Sequence, residues 1–197
     1  MKKLSILGFG LIYLVALSTV TVALEVDKGS AEGSMKKSDS SDWGVPNTAK
    51  AVIKGAQPDS ELSGTADFIE TGDGMQVVAQ LSNVTPAGKH GIHIHENGSC
   101  EEGGKAAGGH FNPAGTKHGL LPRDGHGKAH AGDMGNIEIM DNGRGSLVIF
   151  MPGLGLTTGH KNITGLAVIV HAKEDDFGQP TGNAGGRIGC GEIILNK

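Results

Sequence analysis

The amino-acid sequence predicts an all-β fold, a barrel or sandwich of eight short strands with two long functional loops. Glycine supplies 34 of the 197 residues, aromatic residues make up only 4%, and no long helical pattern appears. Short apolar runs are separated by clusters of turn residues, which is typical of sandwiches and barrels. Hairpin signals at residues 72–74 and 141–143 join neighbouring runs. A chain of this length can bury one sizeable core.

Strands are expected where an apolar run lies between two turn signals. The predicted strands are residues 49–54, 64–70, 75–81, 90–96, 137–140, 146–151, 165–171 and 187–195. The connections over residues 97–134 and 173–186 are longer than simple turns require, and long loops in a compact domain are usually functional or disordered. The first of these loops contains four of the nine histidines, which makes it the leading place for a site.

The N-terminus has the layout of an export signal. Lys2 and Lys3 precede an apolar run over residues 4–24, and the small side chain of Ala23 suits cleavage by a signal peptidase. The alternative is that this run stays in a bilayer as an uncleaved anchor, since it is long enough to span one. The predicted organisation is a signal peptide, a flexible polar tether and one domain, over residues 1–23, 24–47 and 48–197.

Export places the protein in the periplasm or outside the cell, with no stable membrane insertion expected after signal cleavage. In such an oxidising compartment the only two cysteines, Cys100 and Cys190, are expected to form a disulfide. Two buried free thiols are the alternative. The formal net charge of −4 argues against a general nucleic-acid binder.

Alternate histidines on the predicted fourth strand form half of a metal site. His93 and His95 point to one face of the strand, whereas Ile92 and Ile94 point to the other and can enter the core. Neutral imidazole is the commonest metal ligand, although alternating histidines also occur on solvated strands. Further donors follow in the glycine-rich loop and at the end of the seventh strand, namely His110, His118, His126, His130, Asp133 and His171.

This set of donors is compatible with one metal ion or with two. Coordination by imidazole alone suits copper, and a mixture of imidazoles with one carboxylate suits a tetrahedral zinc ion. The alternative is a solvated histidine-rich loop that binds no metal.

Four motifs together resemble those of the copper/zinc superoxide dismutases, most of all the exported bacterial type. They are Gly-Ile-His-Ile-His-Glu at 91–96, Ala-Gly-Gly-His-Phe-Asn-Pro at 107–113, His-Ala-Gly-Asp at 130–133 and Gly-Asn-Ala-Gly-Gly-Arg-Ile-Gly-Cys-Gly at 182–191. The motifs follow the family's order, and the resemblance runs from about residue 48 to the C-terminus. It implies a Greek-key arrangement of the eight strands.

The resemblance also implies the metal ligands. Copper would be bound by four histidines, namely His93, His95, His110 and His171. Zinc would be bound by three histidines and a carboxylate, namely His110, His118, His130 and Asp133. The His110 ring would then bridge both ions as an imidazolate. His126 competes with His130 for the zinc position, but only His130 stands in the family's pattern. His126 and His160 are expected to be surface residues without a role.

Other residues are expected to support the ligands. Asp175 matches a carboxylate that hydrogen-bonds the far nitrogens of His93 and His118, and His90 matches a histidine that braces the loops without binding metal. Arg187 is expected to hold the anionic substrate beside copper through charge-assisted hydrogen bonds. The resemblance pairs the two cysteines, and their disulfide would steady this arginine.

The implied function is dismutation of superoxide to dioxygen and hydrogen peroxide by a redox-cycling copper, bridged to zinc, outside the cytoplasm. Arg187 and His110 are the catalytic candidates. A copper-delivery or metal-binding protein on the same scaffold is the alternative, and the complete set of expected ligands favours the enzyme. Superoxide is the expected partner, and a homodimer is one candidate assembly. The loop 173–186 is short for the family and contains no lysine beyond Lys173, so the usual steering residues are absent and Lys105 is our replacement candidate.

Overall fold

Eight antiparallel strands of the computed structural model close into one barrel. The structure describes residues 45–197, so the predicted signal peptide and the tether up to residue 44 lie outside it. The strands are β1 (Thr48–Gly55), β2 (Ser63–Thr71), β3 (Gly74–Ser82), β4 (Gly88–His95), β5 (Asp133–Ile139), β6 (Gly145–Pro152), β7 (Ala167–His171) and β8 (Arg187–Leu195).

The order of the strands around the barrel is β1-β2-β3-β6-β5-β4-β7-β8. Strands that are not consecutive in sequence are therefore neighbours, as in a Greek key. Pairing of β1 with β8 closes the barrel, and the last strand is tied to the first by hydrogen bonds from Asn196 to Thr48, both backbone and side chain, at 2.8 Å. The predicted all-β, eight-stranded fold is confirmed.

The barrel interior is built from alternating apolar residues. In β1, Ala49, Ala51 and Ile53 are buried, while the alternate residues Lys50, Val52 and Lys54 are exposed. Burying a large aliphatic side chain such as Ile53 stabilises a fold by about 1.5–3 kcal/mol relative to leaving it exposed. Among residues 45–197, no helix is long and apolar enough to cross a membrane.

Strands β4 and β7 are buried on both faces. Ile92, Ile94, Val168 and Val170 enter the main core, whereas the alternate side chains of the same strands lie under the long loops. One of these alternate side chains, Ile169, packs with Ala107, Ala167 and Cys190 in a second, smaller hydrophobic cluster. A loop that covers this outer face can therefore bring its own side chains against the histidines of β4.

Two long loops provide that cover. The first, between β4 and β5, contains short helical turns at Glu102–Ala107 and Leu121–Asp124. The disulfide between Cys100 and Cys190 joins this loop to β8, as expected. The second loop, between β7 and β8, connects His171 to Arg187 across neighbouring strands, where these two residues are register partners.

Candidate metal centre

Four histidine side chains converge on the outer face of β4 and β7. They are all buried, and one ring nitrogen of each lies within 4.8 Å of the others: His93, His95, His110 and His171. The first two belong to β4 and the last ends β7. His110 comes from the long loop, and a short backbone bridge with His95 holds it beside β4.

Backbone carbonyls fix the orientation of two of these rings. Nδ1 of His95 lies 3.0 Å from the carbonyl oxygen of Gly108, and Nδ1 of His171 lies 3.3 Å from that of Gly185. A carbonyl only accepts, so each Nδ1 must carry the proton and each Nε2 keeps a lone pair. The two Nε2 atoms are 3.4 Å apart. Two such lone pairs favour a cation between them.

One buried carboxylate orients two further rings. Asp175 accepts a hydrogen bond from Nε2 of His93 at 2.8 Å and lies 2.9 and 3.1 Å from Nε2 of His118. The opposite nitrogen of His93, Nδ1, is buried and has no hydrogen-bond partner among residues 45–197. Nδ1 of His118 is also buried and makes no hydrogen bond of good geometry there, although it lies 3.0 Å from Oδ1 of Asp133. Leaving a buried polar atom unpaired is costly. Binding of a metal ion would satisfy both atoms, so this site fits metals.

A second cluster surrounds Asp133, at the start of β5. Its members are His110, His118, His130 and Asp133, all buried. Oδ2 of the carboxylate accepts the backbone N–H groups of Gly119 and His130, each at 2.9 Å. Oδ1 is therefore aimed at three Nδ1 atoms, which lie at 2.9, 3.0 and 3.2 Å in His110, His118 and His130 respectively. Three nitrogens and one oxygen are donors that tetrahedral zinc accepts.

His110 belongs to both clusters. Its Nδ1 faces Asp133, so Nε2 is the nitrogen left for the first cluster. Its ring centroid lies 4.1 Å from that of His93. One imidazole can therefore serve two neighbouring ions.

Burial and the carboxylates set opposite pKa shifts in the clusters. Burial lowers the pKa of His95 to about 2, of His171 to about 3 and of His110 to about 4. Burial also opposes ionisation of Asp133 and Asp175, but hydrogen bonds from the histidines outweigh it and hold both pKa values well below the usual range. These histidines therefore keep lone pairs, and these carboxylates keep their charge, at neutral pH.

His118 differs from the other histidines because it lies between two carboxylates. Burial lowers its pKa, but its contacts with Asp133 and Asp175 outweigh burial and raise the pKa to about 9. In the metal-free protein a protonated His118 ring therefore supplies the positive charge between the carboxylates. A metal ion that binds there must displace this proton.

The remaining histidines lie outside both clusters. His90 is buried, and its ring nitrogens lie 2.8 Å from the carbonyl oxygen of His171 and 2.9 Å from that of Pro86. It therefore joins the start of β4 to the end of β7. His160 is exposed, as expected. His126 is half-buried instead, because its Nε2 lies 2.8 Å from the carbonyl oxygen of Pro152.

Arg187, at the start of β8, is held by the backbone of the first loop. Its guanidinium donates to the carbonyl oxygens of Gly104, Lys105 and Gly108. The arginine and the exposed Lys105 side chain line a cavity of about 560 Å³ with residues 56–58, 102–103 and 185–186. The two positively charged side chains, of Arg187 and Lys105, therefore line the same cavity.

Several supporting contacts were not predicted from the sequence. Asn136 exchanges two hydrogen bonds with the backbone of Asp175, at 2.9 and 2.7 Å, and Gln179 does the same with the backbone of His118. Each pair joins distant parts of the chain, and an isolated Asn or Gln carries no motif. Gly182 is the one partial indication of this packing in the sequence, because its φ of +75° is a backbone conformation that favours glycine.

Comparison with known proteins gives consistent matches over the barrel. Residues 62–193 match the family model described as copper/zinc superoxide dismutase. A Cu-Zn superoxide dismutase 2 of Aquifex aeolicus is 40% identical over 150 residues, 73% of this chain and 86% of that protein. An extracellular Cu-Zn superoxide dismutase of Caenorhabditis elegans is 40% identical over 141 residues, 68% of this chain and 62% of that protein.

A solved structure has a similar fold. The crystal structure of the clock protein EA4 superimposes with a TM-score of 0.67 at 33% sequence identity. The match covers 78% of this chain and 98% of that chain.

Proposed function

The chain belongs to the copper/zinc superoxide dismutase family, and from that premise we propose which of its residues hold each metal and carry the reaction. The protein is an oxidoreductase that converts two superoxide anions and two protons to dioxygen and hydrogen peroxide, with copper and zinc as its metals. One observation carries the assignment of residues to metals. Two sets of four buried donor atoms each lie within 4.8 Å of one another and share the His110 ring, and Nδ1 of His93 has no hydrogen-bond partner among residues 45–197.

We propose that the four-histidine cluster holds copper and that the cluster around Asp133 holds zinc. Donors that are all imidazole favour copper, and three imidazoles with one carboxylate favour zinc. When bound, copper supplies the one-electron oxidation and reduction, and zinc tunes the shared ring. Asp175 fixes the tautomers of His93 and His118, so that the lone pair of each Nδ1 is available as a ligand.

We propose that His110 carries a proton in the reaction. Nδ1 of its ring faces the proposed zinc cluster, and Nε2 is the nitrogen available to the proposed copper cluster. A proton held on Nε2 would lie where superoxide is reduced, and its transfer to the reduced dioxygen would give the hydroperoxide anion, which takes the second proton of hydrogen peroxide from solvent. The burial of this ring excludes most solvent from that nitrogen.

Arg187 is proposed to bind and orient superoxide. Carbonyl oxygens accept from its guanidinium and hold it in place, and β-sheet register places the residue opposite His171. An immobilised cation beside the cluster can hold a small anion by charge-assisted hydrogen bonds. Lys105 is proposed to attract the anion, because its exposed side chain lines the same cavity.

We also propose that the enzyme acts outside the cytoplasm, in the periplasm or after secretion. The predicted signal over residues 1–23, the tether over 24–47 and the domain over 48–197 support this location. The disulfide is typical of oxidising compartments, and one relative is named as extracellular. N-terminal sequencing of the exported protein would identify the cleavage site.

A homodimer remains the candidate assembly. Val52 on β1 and Ile194 on the neighbouring β8 both face outward, and they are 57% and 53% exposed. These two apolar side chains lie on adjacent strands, with Lys50 opposite Ile194 in the sheet register, and they support this face as the one that a second copy would cover. Sedimentation of the mature protein measures its oligomeric state directly.

Metal analysis of the purified mature protein, beside a superoxide-consumption assay, tests the assignment. The parent should bind one copper and one zinc, and His171→Ala should lose copper, retain zinc and lose at least about 100-fold in rate. His160→Ala is the matched control, because His160 is exposed and outside both clusters. Both metals bound without activity would indicate metal delivery instead, and zinc loss from His171→Ala would contradict the ligand assignment.

A further inference from the structure

We infer that Gln179 is a positioning residue for His118, an inference that rests on the proposed zinc cluster. Gln179 lies in the loop between β7 and β8, 61 positions from His118 in the sequence. Its Oε1 accepts the backbone N–H of His118 at 3.1 Å, and its Nε2 donates to the backbone C=O of His118 at 2.9 Å. One side-chain amide therefore pairs both backbone groups of His118, as a neighbouring antiparallel strand does.

The backbone of His118 depends on this pairing. His118 belongs to no helix or strand, and within residues 45–197 no other group bonds to its N–H or C=O. Without Gln179, the peptide groups on either side of the residue would be free to rotate. The ring would then be held only through its own contacts.

The same loop also contacts the His118 ring. Asp175 lies against Nε2, and the Phe177 ring stacks on the imidazole with 6.4 Å between centroids and 18° between planes. Three side chains within five positions of one loop therefore contact His118 at its backbone, ring edge and ring face. The loop as a whole sets the position of this ring.

The loop is in turn attached to the barrel. Asn136 in β5 donates from Nδ2 to the carbonyl oxygen of Asp175 at 2.9 Å and accepts from its N–H at 2.7 Å. Since the barrel fixes Asp175, and Gln179 fixes the backbone of His118, the Nδ1 atom is directed toward Asp133. Gln179 should therefore set zinc affinity without binding zinc itself.

Gln179 is exposed and is outside both clusters, so its replacement should leave the fold intact. Loss of two hydrogen bonds of ordinary net strength corresponds to roughly a tenfold change in an equilibrium constant.

The experiment measures zinc dissociation constants of the copper-free full-length protein by chelator competition. We expect Gln179→Leu to weaken zinc binding roughly tenfold and Gln76→Leu not to change it. Gln76 is the matched control, since it is exposed on β3 and makes no side-chain hydrogen bond among the described residues. The visible absorption of Co(II) in the zinc site should shift in Gln179→Leu and stay unchanged in Gln76→Leu.

Two outcomes separate this inference from the ligand assignment. If Gln179→Leu has the same zinc affinity and the same cobalt spectrum as the parent, the positioning role is wrong. This holds even if the melting temperature of the metal-free variant falls. Parental zinc affinity in His118→Asn would overturn the proposed zinc cluster instead.

Discussion

Nε2 of His95 and Nε2 of His171 face each other at 3.4 Å, and the Nδ1–H group of each ring donates a hydrogen bond to a backbone carbonyl oxygen. Burial lowers the pKa of the first ring to about 2 and of the second to about 3. Both rings therefore stay neutral at physiological pH in the metal-free protein. Their lone pairs repel until a cation lies between them, so folding of the barrel prepares a site whose ligands gain from metal binding.

The metal-free protein should lose stability as the pH falls below 6.5. His95, His110 and His171 have lowered pKa values, so from pH 6.5 downward the unfolded chain takes up protons that the folded protein does not. His118 acts in the opposite sense, because its pKa of about 9 stabilises the fold below pH 6.5, and this is lost as the pH rises through 9.

Thermal unfolding of chelator-treated protein across this pH range checks the balance. Because three histidines with lowered pKa values oppose one with a raised pKa, we expect a lower melting temperature at acid pH than near neutrality, and a smaller fall as the pH rises from 6.5 through 9. A melting temperature that rose on acidification would contradict the neutral state of the buried rings.

Gly182→Ala should disrupt the bond between His118 and Asp175. Gly182 has a φ of +75°, and a Cβ atom there would overlap Oδ1 of Asp175 and lie 2.7 Å from Nε2 of His118. We expect at least about a tenfold loss of zinc affinity, the range found when partners of metal ligands are altered. Gly127→Ala is the control, since its Cβ would meet no atom within 4 Å. Equal zinc affinity in both variants would rule out this close packing.

Replacing both cysteines by serine should lower stability and loosen Arg187. The disulfide closes a loop of 90 positions, which in the chain-entropy model contributes roughly 4–5 kcal/mol. Cys100 precedes the turns whose carbonyls hold Arg187, and Cys190 follows Arg187 on β8. We expect a lower free energy of unfolding by denaturant, with reduced activity at unchanged metal content. Full activity in the variant would show that Arg187 keeps its place without the disulfide.

Lys105→Glu should slow the enzyme most at low ionic strength. Attraction of an anion by an exposed charge is screened by salt, so reversal of this charge should lower the rate several-fold and flatten its salt dependence. Lys161→Glu changes the net charge equally but does not line the cavity of Arg187. If both variants show the same salt dependence as the parent, Lys105 does not attract the substrate.

The sequence predicted the barrel well because side chains alternate along its strands. Its main error was β5, which begins at Asp133 rather than at residue 137. The early part of β5 is not an apolar run, and Asp133 joins the sheet by pairing with His93 after an irregularity in β4. Strand β4 also ends at His95, one residue early, because the chain turns there to meet the loop of His110.

The site was predictable in its donors but not in its supports. Histidines and carboxylates carry recognisable chemistry at recognisable spacing, so the members of both clusters could be named in advance. Asn136 and Gln179 act through amide contacts with backbone groups 39 and 61 positions away. Such contacts depend on which distant segments of the chain are neighbours in the folded structure, and no local sequence pattern predicts that.

Closure of the barrel bears on what happens when metals are lost. In residues 45–197 each strand has a neighbour on both sides, since β1 pairs with β2 and also with β8. An unpaired strand edge can recruit another chain and seed aggregation. Loops that loosen after demetallation leave every edge of this sheet occupied, so aggregation by strand pairing would first require two neighbouring strands to separate.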